Sequence, residues 1–463
     1  MSEMPFKIAT GLLAAGVAVG LMHVACVIGL HVPFDPNEGW NAYHAATALT
    51  TGSPYPPAQG YLVNNYPPLS FYLIGALAKI GGDAIVAGRF VALASFIAVV
   101  LGIDAAARQM GCSRIEALFA ALLFAAWLML TTDYVGMDDP QLLGHAIATG
   151  GLLLALRAPR TPRAMVGAAV LLAVAFFVKH NLVVLPAALA VWLFLADRRH
   201  AITFIASGII FLLVGLGMFK AAFGISLFAQ IDSARTFAAA NIWSGLSNWL
   251  RFAAVPLCGA AALFALARHE REAMFCVLYA AIGTAAGVIL LGGAGVDANA
   301  LFDADIALAL SAGVLLNRLG RSLTANVAAL LYLAPASIGL ADIETAWLSS
   351  DYWFHPMAEE RATAAEEIAL IRATPNDVLC DMQALCYWAG KPAAVDVFNM
   401  EQAFATGARN DGPLAEAIAE HRYGLIELES LDPFPLTPRI RAAIAQHYRT
   451  VRTDEGRVFF VPR

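Results

Sequence analysis

Apolar runs of nearly bilayer-crossing length constrain this chain more than any other feature of it. They recur near 8–30, 86–106, 116–133, 140–157, 164–180, 182–197, 202–222, 251–268, 273–292, 298–317 and 322–341. A hydrocarbon core of about 30 Å takes roughly 20 helical residues, and each segment has to satisfy its own backbone polar groups there. The expectation is a polytopic α-helical membrane protein with about eleven transmembrane helices. Composition agrees. Of 463 residues, 59% are hydrophobic and 14% charged, with mean hydropathy +0.67, whereas soluble domains carry about a quarter charged residues. The run at 8–30 follows Lys7, is longer than a signal-peptide core and lacks a small-x-small cleavage site, so it reads as a retained anchor. The apolar stretch Leu69–Ile80 is short and follows Pro67-Pro68. A helix lying at the interface suits it better than a span.

Arginine placement sets an expected orientation. Arg108 and Arg114, then Arg157, Arg160 and Arg163, then Arg198 and Arg199, fall in alternate loops, and Arg268, Arg271, Arg318 and Arg321 continue the series. The loops between them, around 31–68, 133–139 and 292–297, carry acids and no arginine. The positive-inside rule then puts the N-terminus in the cytoplasm and the acidic loops outside. With an odd span count residues 342–463 end outside as well. The size and compact loops suggest a bacterial inner membrane, with the C-terminal part periplasmic. The net charge of −6 and the scattered arginines offer no nucleic-acid surface.

The longest polar interruption before residue 342 is the stretch 31–72, HVPFDPNEGWNAYHAATALTTGSPYPPAQGYLVNNYPPLSFY. It holds Asp35 and Glu38, no Lys or Arg, and many Trp, Tyr, Asn, Gly and Pro residues, among them Trp40, Tyr43, His44 and Tyr66. A long aromatic loop of this kind is functional more often than disordered. Carboxylates at a helix end suit a general base or a divalent cation; a solvated loop pair or an N-cap for a helix near Trp40 is the plainer alternative.

Other polar elements fall on the same expected face. TDYVGMDDPQLLGH carries Asp133, Asp138 and Asp139, and Asp139-Pro140 reads equally well as a helix start. Gln141 and His145 follow one turn apart and share a face, though an interior hydrogen-bonded histidine is the commoner role. Lys179-His180-Asn181 interrupts apolar sequence at an outer helix end, where an ionisable residue marks a functional site by default. Lys179 would suit a phosphate, with His180 and Asn181 as further donors; snorkelling to the interface is the alternative. Arg89 and Lys79 either pair with acids or meet lipid headgroups. GGAGVDANALFDAD at 292–305 adds Asp297 and Asn299, with turn chemistry explaining much of it. There is no Walker motif, zinc-type spacing or G-x-S-x-G elbow.

The tail changes character at about residue 342. DVLCDMQALCYWAG, PAAVDVF, HRYGLIELES and RVFFVPR read as short strands, with helices at Glu359–Ile371 and Leu414–His421 between them. A small α/β domain over 342–463 is expected, following a catalytic module over 1–341. Cys380 and Cys386 would form a short disulfide in an oxidising compartment, and two unpaired thiols fit the spacing equally.

In order and sidedness these motifs resemble the polytopic glycosyltransferases of the GT-C superfamily, which include protein mannosyltransferases and lipid A aminoarabinose transferases. The residues that carry the resemblance are DPNEGWNAYHA, TGSPYPP, YPPLSFYLIGALAKIGG, GRF, MDDPQLLGHA and FVKHN, followed by a polar C-terminal domain. It implies a GT-C-like helical module and transfer, with inversion, from a polyprenyl-phosphate-linked sugar to a glycan, lipid or protein acceptor on the outer face. It also implies Glu38 or Asp35 as base, where Asn37-Glu38 departs from the family's Asp-Glu pair, and Asp138 or Asp139 as the second acid. Lys179, His180, Asn181 and Arg89 would hold the donor phosphate, and Trp40, Tyr43, His44, Tyr66, Gln141, His145 and Asn299 would line the substrate site. The donor tail would lie among membrane lipids. A Mg or Mn ion stays open, because metal use varies across the superfamily. Rival readings are a lipid-linked-sugar flippase or transporter, which would show paired repeats and helices broken at mid-membrane, and an O-antigen ligase or polymerase.

Overall fold

A computed structural model describes residues 4–57, 59–224, 226–231, 233–320, 322–342, 350–429, 434–454 and 456–463. Every expected apolar run lies on a helix. In chain order these are α1 (Met4–Val27), α2 (Pro36–Thr51), α3 (Leu69–Gly81), α4 (Ala84–Gln109), α5 (Arg114–Thr131), α6 (Gln141–Leu156) and α7 (Pro162–Val178). They continue as α8 (Val184–Ala196), α9 (Arg198–Phe223), α10 (Ser226–Ile231), α11 (Ala239–Ala267), α12 (Arg271–Leu290), α13 (Phe302–Leu319) and α14 (Leu323–Asp342). Among the described residues, α1, α4, α5, α9, α11, α12 and the segment Ala298–Leu319 are long and apolar enough to cross a membrane. Shorter apolar helices stand beside them at Gln141–Leu156, Pro162–Val178, Val184–Ala196 and Leu323–Ala334. The chain is an integral membrane protein.

The bundle is built around α13. Within its spanning segment 94% of residues are buried, against 6% for α9, whose Ile209, Ile210 and Leu213 stand exposed. A helix apolar all round and fully covered is a core helix, and one bare on most sides is left for lipid. Small residues let neighbours approach. Gly102 of α4 receives Thr149 of α6, and Gly313 of α13 lies against the Glu116 carbonyl and Ala120 of α5.

The C-terminal part consists of α15 (Ser350–Phe354), α16 (Ala358–Ala373), β1 (Asp377–Cys380), α17 (Gln383–Trp388), α18 (Val397–Ala405) and α19 (Gly412–Ala419), then β2 (Tyr423–Leu428), α20 (Pro438–His447), β3 (Tyr448–Asp454) and β4 (Arg457–Pro462). The sheet order is β1-β2-β4-β3, with β1 parallel to β2 and the remaining pairs antiparallel. A parallel pair needs a helical crossover, and α17, α18 and α19 supply it.

Some expected strands give way to other structure. DVLCDMQALCYWAG is a strand only over Asp377–Cys380, and the Cys380–Cys386 disulfide then folds the rest back as α17. PAAVDVF holds no strand: Asp396 caps α18, its carboxylate accepting the Asn399 N–H at 3.0 Å. The strand YRTVRTD went unforeseen, because an edge strand bearing Arg449 and Arg452 shows no apolar alternation. The expected change of character near 342 borders residues 343–349, and the expected strand HRYGLIELES ends at Ser430; both lie outside the described residues.

The two parts meet through α2. Gly39 is the reason they can: a β-carbon there would sit inside the Gln383–Ala384 backbone. Around that contact Tyr43 Oη donates to the Lys391 carbonyl at 2.6 Å, the Ala84 N–H donates to Tyr387 Oη at 3.0 Å, and Trp388 Nε1 donates to Asp83 at 2.9 Å.

Candidate active site

Loop 31–68 is folded, not slack. Asn64 is fully buried; its amide donates to the Pro54 carbonyl at 3.0 Å and its backbone N–H to Gln230 at 2.8 Å. Gln230 in turn donates to the Pro56 carbonyl at 2.6 Å. His44 spans the same loop, its ring nitrogens 3.0 Å from the Pro54 carbonyl and 3.2 Å from that of Val63, and burial lowers its pKa to about 4. His44 and Tyr43 are thereby spent on holding structure.

Asp35 is the N-cap of α2, with Pro36 at the first helical position, and its carboxylate accepts the Asn37 N–H at 2.7 Å. The other side of that carboxylate faces a cavity of about 460 Å³. Trp40, Tyr66 and Asn299 line the same cavity. Asp297, Asp381, Asp396, Glu401 and Glu429 add an acidic wall, partly from the C-terminal sheet. Among the described residues one cation lines it, Arg235. The Arg235 guanidinium lies over Phe398 at 4.7 Å, and its Nη1 is buried without a hydrogen-bond partner. Burial raises the Asp35 carboxyl to about 6, with Asp139 and Glu38 adding to the rise; burial also lifts Asp381 to about 6 and Glu429 to about 7.

Glu38 is elsewhere. It is fully buried and forms an ion pair with Arg89, from Nε to Oε1 at 2.7 Å and from Nη2 to Oε2 at 2.6 Å. It also accepts the Phe34 and Asp138 N–H groups at 2.9 and 3.1 Å. Arg89 spends its remaining donors on the Leu30 and Val32 carbonyls. Asp138 is completely buried against Gly88, neither oxygen finding a partner; burial, then Glu38 and Asp139, hold its carboxyl well above the usual range. Asp139 accepts the Gln141 N–H at 2.7 Å and pairs with Lys179 at 3.0 Å, while the N-cap position of α6 falls to Pro140, one residue later than the expected Asp139.

Lys179 is buried too, its ammonium 3.6 Å from the centre of the Tyr66 ring. The Asn181 amide donates to Gln141 at 3.3 Å, and Gln141 meets His145 at 3.1 Å, inside the bundle. Burial lowers His180 to about 4, helped by Lys179 and Arg235. The structure thus brings Asp35, Trp40, Tyr66 and Asn299 to one cavity. It sets Glu38, Arg89, Asp138, Asp139, Lys179, Gln141 and His145 behind it as a buried frame. Sequence reasoning missed Arg235. Its signal was an arginine in a loop where the charge alternation expects none.

Among the described residues no three His, Cys, Asp or Glu side chains gather as a metal site. The chemistry below runs through the chain's own groups.

Two solved structures share this architecture end to end. ArnT from Cupriavidus metallidurans bound to undecaprenyl phosphate superposes with a TM-score of 0.62 at 14% identity, covering 97% of this chain and 98% of that one. The apo state of the same protein gives 0.63 at 14%, covering 98% of each. The fold is that of the GT-C glycosyltransferases. Within this GT-C fold, residues 65–222 match the family model described as dolichyl-phosphate-mannose-protein mannosyltransferase. No curated protein matches the chain by sequence.

Proposed function

We propose that this chain is a membrane glycosyltransferase that moves a sugar, with inversion, from a polyprenyl-phosphate donor to an acceptor hydroxyl. One observation carries the reading: a carboxylate raised to about 6 and a half-buried guanidinium, whose covered Nη1 has no hydrogen-bond partner, line the same cavity. The family match over 65–222 and the undecaprenyl phosphate bound by ArnT support the donor class.

Asp35 takes the proton of the acceptor hydroxyl as its oxygen attacks the anomeric carbon. A base with a pKa near the working pH combines availability with driving force. The bond from that carbon to the phosphate oxygen breaks on the opposite side, which inverts the centre. Polyprenyl phosphate leaves, and Arg235 receives its growing charge through a charge-assisted hydrogen bond. Glu38–Arg89 and Asp139–Lys179 keep loop 31–68 and the second loop in register around the cavity. On this reading the cavity faces outward. The alternating arginines and a disulfide between Cys380 and Cys386 support that sidedness, with the N-terminus cytoplasmic and the C-terminal part in an oxidising compartment such as the periplasm.

Purified protein in nanodiscs, offered a panel of polyprenyl-phosphate sugars and membrane-extracted acceptors, tests the reading. Transfer should be lost in Asp35→Asn, and donor use should weaken in Arg235→Ala. Wild type that binds donors and transfers nothing would instead favour a flippase.

A further inference from the structure

At the far end of α7 from Lys179 the bundle has a polar centre that no step above uses. It is built from the connection between α6 and α7, the end of α8 and the first residue of α12. The 17 residues of α7, about 25 Å of helix, separate it from Lys179. Arg160 stands at its middle, the guanidinium 4.5 Å from the centre of the Trp192 ring. Trp192 is buried, and its indole N–H donates to the Arg271 carbonyl at 2.8 Å. The stack therefore holds Arg160 beside the start of α12.

An arginine that had only to face water would need no such seat. Arg157 and Arg163, on either side in the sequence, are exposed and reach water or headgroups freely. Arg160 is half-buried, and its Nε is covered without a hydrogen-bond partner among the described residues. A covered donor of this kind is costly unless a group from outside the chain accepts from it.

The neighbouring charges do not supply that group. Burial, then the charge of Arg271, lowers the Arg160 pKa, and Glu272 and Asp197 act against them. Asp197 is engaged elsewhere, pairing with His200 at 2.7 Å and capping α9. Among the described residues neither Arg160 nor Arg271 forms an ion pair. Two guanidiniums held near each other with no carboxylate between them suit a phosphate, which accepts several N–H bonds at once.

The adjoining surface indicates what carries the phosphate. Val191, Phe194 and Leu195 share one face at the end of α8 and are 42%, 50% and 68% exposed. The Arg198 guanidinium lies over Phe194 at 5.1 Å, so the basic rim continues directly from this apolar face. The next helix, α9, is the barest of the spanning segments among the described residues. Acyl chains run along such a surface, and basic pockets between membrane helices take anionic headgroups.

We propose that Arg160 and Arg271 bind the phosphate of an anionic phospholipid whose acyl chains lie along the exposed face of α8. The lipid is neither donor nor acceptor. It bridges the α6–α7 connection to α12 from outside the chain, and the site stands whether or not the glycosyltransferase reading does.

Native mass spectrometry of the delipidated full chain, titrated with phosphatidylglycerol or phosphatidylcholine, tests the site. Wild type should retain phosphatidylglycerol roughly tenfold better than phosphatidylcholine, the worth of a hydrogen bond to a charged group. Arg160→Ala and Arg271→Ala should each lose that preference, and Arg163→Ala should keep it. Arg271 is exposed, so its removal leaves the packing intact and decides the matter even if Arg160→Ala disturbs the fold. Equal retention of both lipids, or an equal loss in Arg163→Ala, would reduce these arginines to general surface charge and overturn the proposal. Displacement of the lipid by inorganic phosphate would give the site to a soluble anion and overturn it too.

Discussion

Both carboxylate oxygens of Glu38 are taken by one guanidinium, that of Arg89, and neither side chain is exposed to solvent at all. Glu38 stands in the first turn of α2 and Arg89 in α4, so the pair ties the start of α2 to the bundle. An acid so engaged has no lone pair left over for an incoming hydroxyl.

Removing one member of this pair leaves a buried charge uncompensated, at a cost of about 3–5 kcal/mol. Glu38→Gln should therefore lower the thermal unfolding midpoint in detergent sharply. Glu38→Gln combined with Arg89→Met should lose less than the sum of the two single changes. An unchanged midpoint with abolished transfer would return Glu38 to the chemistry.

Asp35 should govern the pH profile. Transfer should rise as pH climbs through about 6, where its carboxyl ionises, and Asp35→Asn should lose roughly 10²–10⁴-fold in rate together with that limb. The effect on the fold has the opposite sense. A carboxyl whose folded pKa stands above its unfolded value of 3.8 holds its proton more tightly in the native state, so its ionisation costs stability as pH rises from about 4 to about 6. Asp35→Asn should remove that decline, which unfolding curves at pH 4.5 and 7.5 can read (roughly the two ends of the window).

Two cations should separate in the assay. Lys179→Met strands Asp139 in the frame and should cost stability with little change in donor KM. Arg235→Ala removes a guanidinium facing the cavity and should raise donor KM roughly ten- to a hundredfold, the worth of a hydrogen bond to a charged group. Reversal of this pattern would put the phosphate at Lys179.

The disulfide should report on the site from a distance. Cys380→Ser with Cys386→Ser releases α17, and a loop of this size is worth about 2 kcal/mol in chain entropy. Because α17 seats on Gly39, transfer by the double variant should fall with the midpoint. Gly39→Ala, which forces a β-carbon into the Gln383–Ala384 backbone, should do the same with the disulfide intact.

The helices were legible because spanning a bilayer leaves a long apolar signature, and the 31–68 loop because polar aromatic sequence is rare between such runs. Partnership was not legible. Glu38 and Arg89 stand 51 residues apart and Asp139 and Lys179 stand 40 apart, and each residue alone looks like a group poised for a ligand. Composition cannot tell a charge kept for substrate from one kept for its neighbour. Arg235 could have been found from the charge alternation that oriented the chain. The acids Asp381, Asp396, Glu401 and Glu429 could not, since only the packing of the C-terminal part on α2, through α17, brings them to the cavity.

Two glycines bring α2 into backbone contact with its neighbours. Gly39 accepts the backbone of α17 on one flank, and Gly75 of α3 lies against the Ala45 carbonyl on the other. Held by backbone at these two contacts, α2 fixes where its N-cap, Asp35, stands relative to both the bundle and the C-terminal part.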